Sequence, residues 1–398
     1  MVDYNRSSVV LNMFETGLAV GRSLGRNGID VYGLDYKKDI GFYSKYVKPR
    51  LCPHPLTEER KFIKYLIELG TSFNEKPVIF IASDEFLISV SRNREILKNH
   101  FTYNLPGHEL IDEIMDKYKQ YQLSRKACIP VPRTFSPGNI DEFNQIKNKL
   151  KYPVFIKARD VNSWRAEVGG AIKGFTAKDE IELGKKFSIL SGKKIKTIVQ
   201  EIITGPDTNH FKVCIYISKS GELKLLFILR KIRQNPIHFG VGCVVESINY
   251  PELEELGKKL FTTIGYRGIG SAEFKLDDRD GQLKLIEINP RYWQQNGLAE
   301  VCGMNFPLIN YLDVTGQELA SIKEFKENIK WINLYMDLDS YLQYREEKKL
   351  TFFSWLKSLR GKKVFSDFSF DDIKPGFYEI GFGKKLIKIP LFLFKRLF

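Results

Sequence analysis

The chain has 398 residues, room for two or three domains with cores of their own, so a small scaffold dependent on disulfides or metals is excluded. Its apolar and charged fractions are those of a folded globular protein, and no apolar run reaches the roughly 18 residues that cross a bilayer. With 62 basic against 48 acidic residues the formal charge is +14, which favours polyanionic partners such as nucleotides, nucleic acid or an anionic membrane surface without choosing among them.

The first residues carry Asp3, Arg6 and Glu15 around a short apolar run and lack the order of a signal peptide, so a cytoplasmic chain is expected. Residues 8–13 read as a buried strand, 16–27 as a helix and 29–35 as a second strand, a βαβ opening. Gly17, Gly21, Gly25 and Gly28 are read with that helix and lack the G-x-G-x-x-G spacing, so a dinucleotide site is not read from them. Residues 62–69 read as helix, and 78–82 as a strand ending at Ser83 and Asp84, where open α/β sheets present polar groups to ligands. Asp84 is thus either a site residue or a helix cap. After Pro106 and Gly107, residues 110–128 read as one helix and 153–158 as a strand, and strand patterns dominate 197–229, 271–276 and 283–288. From about Glu318 periodicity weakens, and the remainder reads as an appended segment. Five widely spaced cysteines with no C-x-x-C pair indicate neither a disulfide framework nor a zinc site.

The chemistry concentrates in the middle of the chain. Two strands joined by a turn at 277–281 would set Glu273 beside Glu287, and period-2 alternation puts Glu287, Asn289 and Arg291 on one face. Two carboxylates and an amide oxygen make an all-oxygen site suited to Mg²⁺, a metal that keeps waters and is completed by substrate phosphates. A solvated face with a Glu–Arg cross-strand pair is the plainer alternative. Upstream, Lys117 opens a helix, Lys157 sits on a strand, and a loop with Arg159, Arg165, Gly169, Gly170 and Lys173 follows, types that suit phosphate. Gln200, Glu201, Ile202 and Ile203 run into Thr204-Gly205-Pro206, an apolar strand end whose backbone can pair with an adenine edge. Arg230 and Arg233, just before a Pro- and Gly-containing loop, have the fork geometry for a substrate carboxylate, with surface ion pairs as the alternative, and His238 reads as structural.

The order Asp116-Lys117, Tyr-Pro-Val-x-Ile-Lys157, Gln-Glu201 before a Gly-Pro turn, Glu273, and Glu287-x-Asn289-x-Arg291 resembles the ATP-grasp superfamily over roughly residues 108–315. Within it the chain resembles the ATP-dependent carboligases related to carbamoyl-phosphate-synthase large-subunit modules and D-aspartate ligases. One departure is that residues 160–170, with Trp164 and Arg165, are poorer in glycine than the usual phosphate loop. The resemblance implies an α/β and α+β chain. A pre-ATP-grasp βαβ domain (1–107) would precede a two-subdomain ATP-grasp domain (108–318, lid about 133–200) and a C-terminal extension (319–398).

It further implies ATP as cofactor, with Lys117, Lys157 and Lys173 on the phosphates and Gln200 to Ile203 at the adenine. Glu273, Glu287 and Asn289 would hold Mg²⁺, with Mn²⁺ as a substitute, and Arg291 would stabilise the phosphorylated intermediate. The implied reaction activates a carboxylate as an acyl phosphate and joins it to an amine, on small-molecule substrates that include cell-envelope or polysaccharide precursors. Competing readings are a carboxyphosphate-using carboxylase, a phosphotransferase, or a non-catalytic nucleotide-binding protein. No zinc-finger, helix-turn-helix or RNA-binding signature supports a nucleic-acid partner. A homodimer is compatible with the resemblance. The segment from Lys384 to Phe398 is apolar and basic, and reads either as a peripheral contact at the inner face of the membrane or as packing back onto the extension.

Overall fold

The computed structural model describes residues 5–159, 174–317, 319, 322 and 324–381. The N-terminal unit is a parallel sheet of β1 (Ser8–Leu11), β2 (Val31–Asp35), β3 (Val47–Leu51) and β4 (Val78–Ile81) in the order β3-β2-β1-β4. Strand alternation decides its two faces. Val9, Leu11, Ile79 and Ile81 pack with Phe62 and Leu66 of α2 (Glu59–Thr71) and Phe86 of α3 (Asp84–Arg92). Val10, Val31 and Phe80 pack instead with Val20 and Leu24 of α1 (Glu15–Arg26). The helix glycines serve that packing, because a Cβ on Gly17 would lie 1.9 Å from the Asn12 carbonyl oxygen. A short α4 (Arg94–Leu97) completes the unit.

The expected single helix at 110–128 is two, α5 (His108–Met115) and α6 (Lys117–Lys126). Asp116 breaks the run by capping α6, its carboxylate accepting from the Tyr118 and Lys119 amides at 2.9 and 3.1 Å. The segment expected as the lid follows, an antiparallel sheet ordered β5-β8-β6-β7 from β5 (Thr134–Phe135), β6 (Val154–Ala158), β7 (Phe175–Ala177) and β8 (Thr197–Glu201). Phe143 of α7 (Ile140–Ile146) and Phe187 of α8 (Glu180–Gly192) stack at 4.6 Å in its own core.

The main sheet has seven strands in the order β13-β12-β9-β10-β11-β14-β15. They are β9 (His210–Ile217), β10 (Leu223–Asn235), β11 (Val241–Ser247), β12 (Gly268–Leu276), β13 (Leu283–Asn289), β14 (Lys330–Ile332) and β15 (Lys363–Phe365). All neighbours are antiparallel except β14 and β15. α9 (Pro251–Thr263) covers one face, with Leu253 and Leu260 against Val213 and Ile215. α10 (Asn296–Val301) and α11 (Phe306–Val314) lie on the other, in one core with α1 and the N-terminal sheet.

The segment after residue 319, expected as an appendage, supplies β14 and β15 to the main sheet, and Trp331 is buried in the same core as Phe80 and Trp293. It also contains α12 (Leu334–Glu346), α13 (Phe352–Ser358) and α14 (Lys374–Gly381). Beyond β15 the buried Asp372 carboxylate meets Arg22 Nε at 2.9 Å, tying the chain back to α1. The segment from Lys384 to Phe398 lies outside the described residues.

Candidate functional site

A cleft of about 1080 Å³ opens where the carboxyl ends of β1, β2 and β4 face the main sheet beneath lid strands β6 and β8. Parallel sheets present ligand-binding groups at that end, and here Asn12, Lys37, Ser83 and Asp84 line the cleft.

On its floor the register is the expected one, Glu273 of β12 lying opposite Glu287 of β13 and, on its other side, opposite Lys212 of β9. The Glu273 carboxylate takes Lys212 Nζ and Lys231 Nζ, each at 3.1 Å. Burial alone would raise its pKa, but the two ammonium groups hold it well below the usual carboxylate range. Two cations on one carboxylate leave net positive charge at the cleft floor. Beside them Lys117 Nζ meets Glu287 at 2.9 Å, and although burial opposes its charge, Glu287 raises the Lys117 pKa. Lys157, reaching in from the lid strand β6 over the Tyr121 ring, has its pKa lowered to about 8, first by burial and then by Lys117. Arg291 completes the row, its Nε 2.6 Å from Asp84 Oδ1 and Nη2 3.2 Å from Oδ2.

Gln200, Glu201, Ile202 and Ile203 all line the cleft. The first two side chains also hold the lid together. Gln200 Nε2 donates to Thr134 Oγ1 at 2.8 Å, and Glu201 Oε1 accepts from the Lys151 amide at 3.0 Å.

Arg230 and Arg233 are placed elsewhere. Strict alternation would aim Lys231 and Arg233 the same way, but β10 shifts register against β11 on either side of Arg233. Lys231 and Gln234 therefore face the cleft, while Arg233 is buried against α12 with Nε 2.6 Å from Asp337 and Nη1 2.6 Å from Ser358 Oγ. Arg230 pairs with Glu246 at 3.0 Å, and neither arginine lines the cleft. His238 is at the rim, between Asp207 and Glu347. Lys173, with Arg165, Gly169 and Gly170, lies outside the described residues.

The structure adds cleft residues that sequence reading passed over: Lys212, Lys231, His210, Gln295 and, as the partner of Arg291, Asp84. A signal existed for Lys212, a lone cation in the otherwise apolar run from Phe211 to Ile217 that is buried throughout. Burial, then Lys231, depresses the His210 pKa to about 3, so it is a neutral polar group at ordinary pH. Gln295 Nε2 donates to the Gly242 carbonyl at 2.9 Å, and its buried Oε1 meets no donor among the described residues. Among those residues no cluster of three or more His, Cys, Asp or Glu could hold a metal by itself.

Residues 230–312 match the family model described as carbamoyl-phosphate synthase L chain, ATP binding domain. The chain is 22% identical over 279 residues to a D-aspartate ligase of Enterococcus faecium (strain Aus0004), an alignment covering 66% of this chain and 65% of that protein, just under two thirds of it. Its fold is shared with N5-carboxyaminoimidazole synthetase from Staphylococcus aureus, with TM-score 0.65, 17% identity and 87% of each chain covered. It is likewise shared with the dimeric biotin carboxylase domain of the Hydrogenobacter thermophilus 2-oxoglutarate carboxylase, solved with MgADP, ADP and bicarbonate. There the TM-score is 0.63, the identity 17%, and the coverage 81% of this chain and 73% of that one.

Proposed function

We propose that this chain is a member of the ATP-grasp family and, within it, an ATP-dependent ligase that activates a carboxylate as an acyl phosphate and joins it to an amine, releasing ADP and phosphate; the family-model match over residues 230–312 and the similarity to a D-aspartate ligase support this reading. The observation that carries this reading is the row of Lys117, Lys157, Lys212, Lys231 and Arg291 around Glu273, Glu287 and Asn289 in one cleft roofed by a separate lid sheet. A carboxylate is a poor acyl donor at neutral pH because its leaving group would be oxide. Phosphorylation supplies a stable leaving group, and fixed cations offset the charge that builds on the transferring phosphoryl group.

In this proposal the nucleotide lies between the lid and the main sheet. Ile202 and Ile203 pack on the adenine, and Lys117 and Lys157 contact the phosphates. Glu273, Glu287 and Asn289 offer three hard oxygen donors on adjacent strands, which fits Mg²⁺ better than zinc or copper. Their ion pairs do not exhaust them, since a carboxylate has about four acceptor positions. Bound there, Mg²⁺ would neutralise phosphate charge as a Lewis acid.

Lys231 and Arg291 stabilise the acyl phosphate and the oxyanion formed when the amine attacks it. Gln295 Oε1, a buried acceptor, takes an N–H of that amine. The lid strands exclude the water that would otherwise hydrolyse the intermediate. The similarity to a D-aspartate ligase supports a carboxylate of amino-acid size. The test is ADP release over a matrix of amino acids and amines, followed by product mass. Turnover that needs one member of each class supports a ligase, and turnover with bicarbonate in place of the organic acid would assign a carboxylase instead.

A further inference from the structure

We infer that α13 is a docking surface for an anionic lipid bilayer. The helix is fixed by its inner face. Trp355 stacks on Tyr341 at 4.8 Å and donates from Nε1 to the buried Asp337 at 2.8 Å, and Ser358 accepts from Arg233. Its outer face is apolar and bare, with Phe353 81%, Phe352 50% and Leu356 43% exposed. Burying such side chains in the protein would stabilise it, so their exposure on a helix anchored by a tryptophan calls for another covering surface.

The charge around α13 says which. Lys357 on α13 itself, Lys348 and Lys362 in the connections on either side of it and Lys363 at the start of β15 are exposed, with no carboxylate at ion-pair distance among the described residues. Aromatic and leucine side chains ringed by unpaired lysines match the two layers of a membrane surface, acyl chains beneath anionic headgroups. The same ring argues against the basic segment 384–398 as the cover, since Lys384, Lys385, Lys388, Lys395 and Arg396 would meet like charge. The residues after β15 expose a further ring, Phe370, at 93%.

The anchor also sets where the membrane would lie relative to the cleft. Asp337, which holds Trp355, also holds Arg233 of β10, the strand that carries Lys231 and Gln234 into the cleft. One layer of side chains thus separates the docking helix from the strand that lines the site.

The test is co-sedimentation of the full-length chain with phosphatidylcholine vesicles and with vesicles containing phosphatidylglycerol, at low and high salt. The wild type is expected to pellet with the anionic vesicles only, and less at high salt. The triple variant Phe352→Ser, Phe353→Ser, Leu356→Ser, folded by circular dichroism, is expected to partition roughly tenfold less. Ile181→Ser, which removes an exposed apolar side chain on the lid helix α8, is expected to bind as the wild type does. Wild-type protein that stays in solution with both vesicle types overturns the inference. Equal pelleting of wild type and triple variant also overturns it, and would move any membrane contact to another segment.

Discussion

Arg291 at the end of β13 and Asp84 at the start of α3 form a two-pronged ion pair, 2.6 and 3.2 Å, that joins the N-terminal sheet to the floor of the cleft. Burial works against the Arg291 charge, but Asp84 outweighs it and raises the pKa, so the guanidinium stays charged where it faces the cleft. In the proposed reaction Asp84 therefore acts as a positioning residue. Asp84→Asn, which keeps the shape and loses the charge, is expected to lower kcat about 10- to 100-fold with little change in the KM for ATP. Partial recovery in Asp84→Glu supports positioning; equal loss in both variants with a lowered Tm would mean a purely structural role.

Lys157 gives the protein a pH signature. Its pKa of about 8 lies below the ordinary 10.5, so between these values the unfolded chain holds more protons at this site, and its contribution to stability rises as pH climbs through that window. Phosphate binding has the opposite sign, because it needs the proton. ATP affinity is expected to fall by roughly tenfold per pH unit above 8 in the wild type. In Lys157→Arg, which stays charged, it is expected to be nearly flat. Titration calorimetry from pH 7 to 9.5 reads both slopes, and a flat wild-type profile would remove Lys157 from the phosphates.

Arg233 and Arg230 are expected to separate by stability. Arg233→Ala leaves Asp337 buried without its cation, at a cost of about 3–5 kcal/mol by the general behaviour of broken buried pairs. Arg230→Ala breaks a more exposed pair with Glu246, a contact of the kind worth under about 1 kcal/mol. Urea denaturation distinguishes them, and a similar midpoint for both would show that the Asp337 network carries little stability.

Much of this cleft was legible in the sequence because strand alternation is a strict rule. Glu273 and Glu287 are opposite each other, and Glu287, Asn289 and Arg291 share the cleft side, as period 2 requires. The same rule failed at Arg233, where the register between β10 and β11 shifts on both sides and changes which residue faces the cleft, and no local pattern announces such a shift there. The Asp84 partnership was illegible for another reason. Its two residues are 207 positions apart, and they meet only because the chain just past β13 runs against the end of β4, where the Tyr292 amide donates to the Ile81 carbonyl at 3.3 Å. Beyond residue 319, three-residue strands such as Lys330–Ile332 are too short for alternation to show.

Glu287→Gln is expected to reduce ATP turnover by more than about 100-fold, since it removes a carboxylate proposed for Mg²⁺ and the partner of Lys117. The Glu287 side chain is about one-third exposed, so Tm should shift by only a few degrees. Turnover and Mg²⁺ dependence like those of the wild type would refute the metal assignment.

The acyl phosphate is tested most directly by oxygen tracing. With a substrate carboxylate identified in the ADP-release matrix and labelled with ¹⁸O, one labelled oxygen per turnover is expected in the released phosphate, with amide formed in equal amount and no label transfer when the amine is withheld. Phosphate free of label while ADP and amide form would contradict activation through an acyl phosphate.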